Sequence, residues 1–211
     1  MTTTTPAWFT SLKQELRAFV EEECIPAERT FERQLEQMRD RWAEVPSILG
    51  TLKQKAKMKG LWNLFLTKEY TAMVERYCTE GESQTNWFRY GLSMKQYGEL
   101  AEVMGASLLA SEACNCNAPD TGNMELLSKF GSNEQKEQYL RPLLRGDIRS
   151  AFLMTEPDVA SSDARNIETE ILRSANSTYR INGRKWWSTG AMHPACRVLL
   201  IRKCFMSMKA K

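Results

Sequence analysis

Only one histidine, His193, stands among the 211 residues. That excludes a His-rich metal site and disfavours a general-base triad, since each needs imidazoles at particular places. No apolar run approaches the ~20 residues of a membrane span, so no transmembrane segment is predicted. The opening Met-Thr-Thr-Thr-Thr-Pro has neither a basic n-region nor an apolar h-region. Glu15, Glu21, Glu22 and Glu23 follow too closely for an Arg-rich, acid-poor presequence. The motifs GxGxxG, Walker A, HExxH and GxSxG are all missing, as is any internal repeat. Surplus charge is small: 29 Lys+Arg against 26 Asp+Glu leave +3. Four of those cations (Arg202, Lys203, Lys209, Lys211) sit in the last ten residues, and without them the balance is −1. Neither a nucleic acid nor a membrane surface is predicted as partner.

What is present is ordinary for a folded protein: 42% hydrophobic and 26% charged residues, enough for one domain or two. Six cysteines, with no secretory leader, fit a reducing intracellular compartment, where thiols serve as small buried apolar groups. Cys114-Asn-Cys116 invites a metal reading, but no second Cys/His pair at finger-like spacing completes four ligands.

The first two thirds read as helix. Ser11-Leu-Lys-Gln14 has the form of a capping box, and Leu12, Leu16, Phe19 and Val20 follow at helical spacing. Pro26 predicts a restart, and Pro46 the first turn of a helix carrying Ile48, Leu49 and Leu52 before Gly60. Glu69 to Asn86 is polar and weakly periodic, so a loop with at most short helix is expected there. Trp87 to Met104 carries an apolar stripe, Ala106 to Ala113 reads as a short buried helix of small residues, and Asn117 to Gly122 is rich in breakers. Leu126 to Phe130 and Glu134 to Leu144 continue the helices; Ser132-Asn-Glu-Gln135 caps the latter and Gly146 stops it. From Ile148 the pattern becomes strand-like. Ser150 to Met154 is a short apolar run and Ile167 to Leu172 alternates. Asn182-Gly183 between Thr178–Ile181 and Arg184–Ser188 predicts a type I′ hairpin, and Ala195 to Ile201 a further strand. Helices first and antiparallel strands second give an α+β order.

Two segments carry chemistry-bearing residues. Phe152 to Asp163 runs from a strand into a Pro-containing turn dense in hydroxyls and carboxylates. Trp186-Trp-Ser-Thr-Gly190 places paired indoles beside two hydroxyls. Together they suit half a site for a flat aromatic ligand with polar edges, and turn hydroxyls also suit a pyrophosphate. The plainer alternative makes Trp186 and Trp187 hairpin aromatics on opposite sheet faces, one of them in the core. Glu156 and Asp158 can be read as an acid/base pair or as solvated carboxylates at a strand end. His193, beside Pro194, reads as a loop residue.

Met154-Thr-Glu-Pro157, the Ser-Asp ending that turn, Ile181-Asn-Gly-Arg-Lys185 and Trp187-Ser-Thr189 resemble the flavin-binding signature of acyl-CoA dehydrogenases. Ala118 to Met124 and Phe130 to Lys136 are similar to that family too. Met154 to Asp163 is especially similar to its branch containing family members 10 and 11. The resemblance runs from about Thr10 to Ile201. It implies an N-terminal helical domain over residues 1–147, part of a middle β-domain over 148–201 and a divergent basic tail over 202–211. The C-terminal helical bundle of the family is not matched.

The cofactor so implied is FAD and the substrate a fatty acyl-CoA, undergoing the α,β-dehydrogenation of fatty acid β-oxidation. Phe152, Met154 and Thr155 would lie along the isoalloxazine edge, and Trp187 would pack on the flavin with Ser188 and Thr189 near its N5/O4 side. The turn is one residue longer than in many family members, so the serine meeting CoA is Ser161 or Ser162. The family's catalytic glutamate belongs to the unmatched bundle, so no catalytic residue is assigned. The expectation is a truncated form, inactive alone. Its alternative is a non-catalytic partial subunit that forms homo- or hetero-oligomers with full-length relatives. The family points to mitochondria or peroxisomes, whereas the visible signals point to the cytoplasm; Lys-Ala-Lys is not the Ser-Lys-Leu peroxisomal address.

Overall fold

The computed structural model describes residues 6–79, 91–174 and 178–201. The chain divides after Asp147 into two compact units.

The first unit is helical: α1 (Ala7–Phe19), a wide π turn (Val20–Cys24), α2 (Ile25–Gln37), α3 (Ser47–Met58), α4 (Lys68–Thr79), α5 (Met94–Met104), α6 (Ala110–Ala113), α7 (Asp120–Phe130), α8 (Asn133–Gln135), a second π turn (Lys136–Leu140) and α9 (Arg141–Arg145). Phe9, Leu12, Leu16 and Phe19 repeat at three and four residues and are all buried, which gives α1 its inward face. Leu52, Trp62, Phe65, Tyr77, Leu100 and Met104 are likewise almost fully removed from water. Burying one such side chain is worth ~1.5–3 kcal/mol.

Several boundaries differ from the sequence expectations. Ser11 caps nothing: the helix already starts at Ala7, behind Pro6. Pro26 does not interrupt the chain, because the π turn just before it takes up the register that a missing N–H would break. The stretch from Glu69, expected to hold at most short helix, belongs as far as Thr79 to the twelve-residue α4 (Lys68–Thr79). Among its described side chains Val74 and Tyr77 are the buried ones, too few for a periodic signal. Residues 80–90, which complete that stretch and begin the predicted Trp87–Met104 helix, lie outside the described residues. α5 starts at Met94 on a capping box between Ser93 and Gln96. The run of small residues forms helix only over Ala110–Ala113. The breaker-rich turn ends at a cis Ala118–Pro119 bond, and Asp120 to Gly122 are already helical. The Ser132/Gln135 box forms as read.

α9 ends on a dense cap. Leu144 O accepts from Trp62 Nε1 (2.8 Å) and Asn63 Nδ2 (2.9 Å), Leu143 O from Asn115 Nδ2 (3.0 Å), and Arg145 O from Lys57 Nζ (2.7 Å). Four side chains thereby satisfy carbonyls that the helix end leaves open. Gly146 turns the chain at φ 77° directly beneath the Trp62 ring.

Among its described residues the second unit holds four strands in two pairs. β1 (Arg149–Leu153) lies parallel to β4 (Cys196–Ile201), and β2 (Glu170–Arg173) antiparallel to β3 (Tyr179–Asn182). The α+β order stands. One pair is nonetheless parallel, because the long connection from β1 to β4 lets the chain return in the same direction. The predicted Asn182-Gly183 hairpin does not form. β3 pairs backward with β2, Ile181 opposite Ile171, and residues 184–188 form no strand. Gly183 instead permits a close approach, since a Cβ there would collide with the Thr169 side chain.

Candidate functional site

β1 delivers Phe152 to the surface, 42% exposed, and then releases the chain into Met154, Thr155 and Glu156. Residues 185–189 run alongside. The Trp186 N–H donates to Thr155 O (3.1 Å), and Lys185 Nζ donates to Met154 O (2.8 Å) and to Glu156 Oε1 (2.8 Å). The two segments singled out from sequence are therefore neighbours. Thr155 Oγ1 makes no hydrogen bond to a described residue.

Trp186 and Trp187 do not flank a sheet, and neither enters the core. Their rings sit 5.6 Å apart, tilted by 56°, and both are exposed. Trp187 is 78% exposed at φ 55°, a left-handed conformation costly for a bulky residue. Ser188 Oγ lies 3.4 Å from Trp186 O, and Thr189 opens a short 3₁₀ turn to Met192.

Glu156 is a buried anchor, which rules out both sequence readings of it as a solvated carboxylate or half of an acid/base pair. Its Oε2 accepts from the Glu168 N–H (2.7 Å), and its Oε1 from the Thr169 N–H (3.0 Å), the Thr169 hydroxyl and Lys185. The carboxylate and ammonium side chains are only 5% and 8% exposed. Burial alone would raise its pKa, but the bonds from Lys185, Thr169 and the two backbone N–H groups prevail and hold it down at about 2. Asp158, by contrast, is exposed.

The serines separate cleanly. Ser161 is buried, its Oγ accepting from the Glu156 N–H (2.8 Å) and facing Val159 O (3.3 Å), so it closes the turn internally. Ser162 is exposed. Asp163 caps the next turn through the Arg165 N–H (3.0 Å) and takes a fork from the Arg165 guanidinium, which keeps its carboxyl below the usual range. His193 Nδ1 accepts from the Ala195 N–H (3.1 Å) in the loop before β4. Cys24, Cys114 and Cys116 are buried. Burial pushes the Cys24 and Cys116 thiols up to about 12, and Cys114 well above its ordinary value. Among the described residues no three His, Cys, Asp or Glu side chains are grouped to hold a metal, and no helix is long and apolar enough to cross a membrane.

What the sequence missed is the Glu156–Lys185–Thr169 cluster. Its signal was available only as coincidence: a glutamate in one motif, a lysine in the other, and a glycine whose neighbour is Thr169.

Residues 151–210 match the family model described as acyl-CoA dehydrogenase, middle domain. Among curated proteins, the chain is 46% identical over 187 residues to acyl-CoA dehydrogenase family member 10 of Mus musculus, covering 89% of this chain and 16% of that protein. It is 44% identical over 190 residues to family member 11 of Homo sapiens, covering 89% of this chain and 22% of that one. A solved structure from Mycobacterium abscessus, assigned as an acyl-CoA dehydrogenase, is 43% identical, with a TM-score of 0.77. It covers 94% of this chain and 46% of its own length. The chain thus spans 16% and 22% of the two curated relatives and just under half of the solved structure.

Proposed function

Because the chain belongs to the acyl-CoA dehydrogenase family, we propose that its two adjoining segments form part of a site for FAD and a fatty acyl-CoA. The observation that carries this reading is the pairing of residues 152–156 with 185–189. Along that pairing lie an exposed indole, a half-exposed phenyl ring and a threonine hydroxyl with no bond to a described residue. Those groups fit a flavin: apolar faces for a ring system, polar groups for its edge.

Bound FAD supplies a hydride acceptor for α,β-dehydrogenation of the acyl chain, as in fatty acid β-oxidation. This chain's own residues bind and orient. Phe152 and Trp187 offer their rings. Met154, through its peptide group, and Thr155, Ser188 and Thr189, through their hydroxyls, address the edge. Ser162 rather than Ser161 faces the CoA moiety, because Ser161 is engaged in its own turn. The base that removes the α-proton is none of these residues. Glu156, the carboxylate within the motif, is buried and held ionised by four donors. We place the base in the part of the relatives that this chain does not span, so the 211 residues hold flavin without turning over acyl-CoA at family-like rates. General-base transfer alone contributes ~10²–10⁴-fold.

Titrating FAD with the 211-residue protein and reading flavin fluorescence tests the site. Saturable quenching weakened by Trp187→Ala and by Thr155→Val supports it. Quenching that ignores both substitutions, or none at all, overturns it.

A further inference from the structure

We propose that the buried Glu156–Lys185 pair is a positioning device, fixing residues 185–189 against 152–155 so that Trp187 and Thr155 form one pre-set surface. The proposal rests on the flavin reading above for the purpose of that surface, but not for the existence of the clamp.

Residues 184–188 belong to no strand, so no ladder of hydrogen bonds aligns them. Their bonds to the neighbouring segment come from two residues. Lys185 Nζ reaches Met154 O and Glu156 Oε1, both at 2.8 Å, and the Trp186 N–H reaches Thr155 O at 3.1 Å. Glu156 is in turn held by the Glu168 and Thr169 N–H groups and by the Thr169 hydroxyl, and its own N–H is held by Ser161. Lys185 therefore leans on the stretch before β2 as well as on the end of β1. Trp187 follows two residues later. Its indole is mostly in solvent, its backbone is left-handed, and its ring contact is with Trp186. An aromatic side chain so poorly packed keeps one orientation only if the backbone on its N-terminal side is fixed.

A desolvated ion pair is a poor way to add stability, since a well-packed apolar pair of similar size often does as well or better. Its use lies in geometry. Lys185 brings donors to a carbonyl oxygen and a carboxylate oxygen of two different residues, which an apolar side chain cannot distinguish. Setting the surface before a ligand arrives removes an ordering cost from binding.

The test is amide hydrogen exchange on the 211-residue protein without flavin, alongside the FAD titration. In the wild type the Trp186 amide should exchange at least tenfold more slowly than the flanking amides of 187 and 188, although it lies outside any strand. Comparable rates at all three would overturn the clamp without any variant being needed. In Lys185→Met with Glu156→Gln, which leaves no unpaired buried charge, Trp186 protection should fall about tenfold or more. Protection of residues 7–79 and 91–147 should stay unchanged, and FAD affinity should fall in parallel. Lost FAD affinity with Trp186 protection intact would make Lys185 a direct ligand contact and overturn the proposal. Lost protection with FAD affinity unchanged would overturn it too. If the wild type binds no FAD, the flavin reading fails, while the exchange data still decide the clamp.

Discussion

Acid should loosen the second unit through Glu156, and Glu156→Gln should blunt that sensitivity. The carboxyl has an ordinary pKa of 4.5 and is held at about 2 in the fold. A group whose pKa folding depresses contributes stability that is fully present above its unfolded value and is lost as pH falls through its folded one. The window is therefore roughly pH 4.5 down to 2. At about 1.4 kcal/mol per pKa unit the ceiling is ~3 kcal/mol. At pH 3 the carboxyl is still partly ionised in the fold, which brings the expected loss there to ~2 kcal/mol. Asp163, kept low by Arg165, titrates in the same direction in both proteins and so drops out of the comparison. The assay is urea unfolding at pH 6 and pH 3, followed through backbone NMR signals of residues 149–173 and 179–201. Wild type should lose more stability between the two pH values than Glu156→Gln, which starts weaker because an amide cannot pair with Lys185. Equal losses would sink the assignment of Glu156 as the buried, ionised anchor.

Three further outcomes follow from other parts of the fold. Gly146→Ala should cost the helical unit ~2–5 kcal/mol, combining a left-handed backbone penalty with overpacking. The new Cβ would lie 2.6 Å from Trp62 Cζ2, and a urea midpoint close to wild type would contradict this. Native protein treated with iodoacetamide at pH 8 should leave Cys24, Cys114 and Cys116 unmodified by peptide mass mapping, since burial holds all three as thiols. Prompt labelling of any of them would refute their burial. Trp187→Gly should keep stability within ~1 kcal/mol of wild type, because glycine tolerates φ 55° and little packing is lost, yet should weaken flavin quenching. A large loss of stability would mean that the indole packs where it is described as exposed.

Legibility from sequence followed the kind of interaction that decided each element. Where one apolar stripe or one local hydrogen bond governs, the sequence speaks plainly: α1 and its Leu12, Leu16 and Phe19, the Ser132/Gln135 box, and the stop at Gly146. Where a few distant contacts govern, it misleads. α4 reads mostly as loop because Val74 and Tyr77, the buried ones among its described side chains, make no repeating stripe. Asn182-Gly183 has the composition of a hairpin turn, but its glycine answers to Thr169, fourteen residues back, and the strand pairs the other way. Among the site residues, motif wording brought Phe152, Met154, Thr155 and Trp187 to notice, and the structure sets their two segments side by side. It could not tell which of Ser161 and Ser162 is buried in the turn, since that depends on which hydroxyl the Glu156 N–H captures. Glu156 itself shows why. A glutamate beside a proline at a strand end is ordinarily solvated. This one is buried only because a lysine twenty-nine residues later and a threonine thirteen residues later converge on it. A pairing of that kind has no period and no local signature. The same non-local convergence makes the carboxylate unfit for proton transfer and suits it to holding two segments in place.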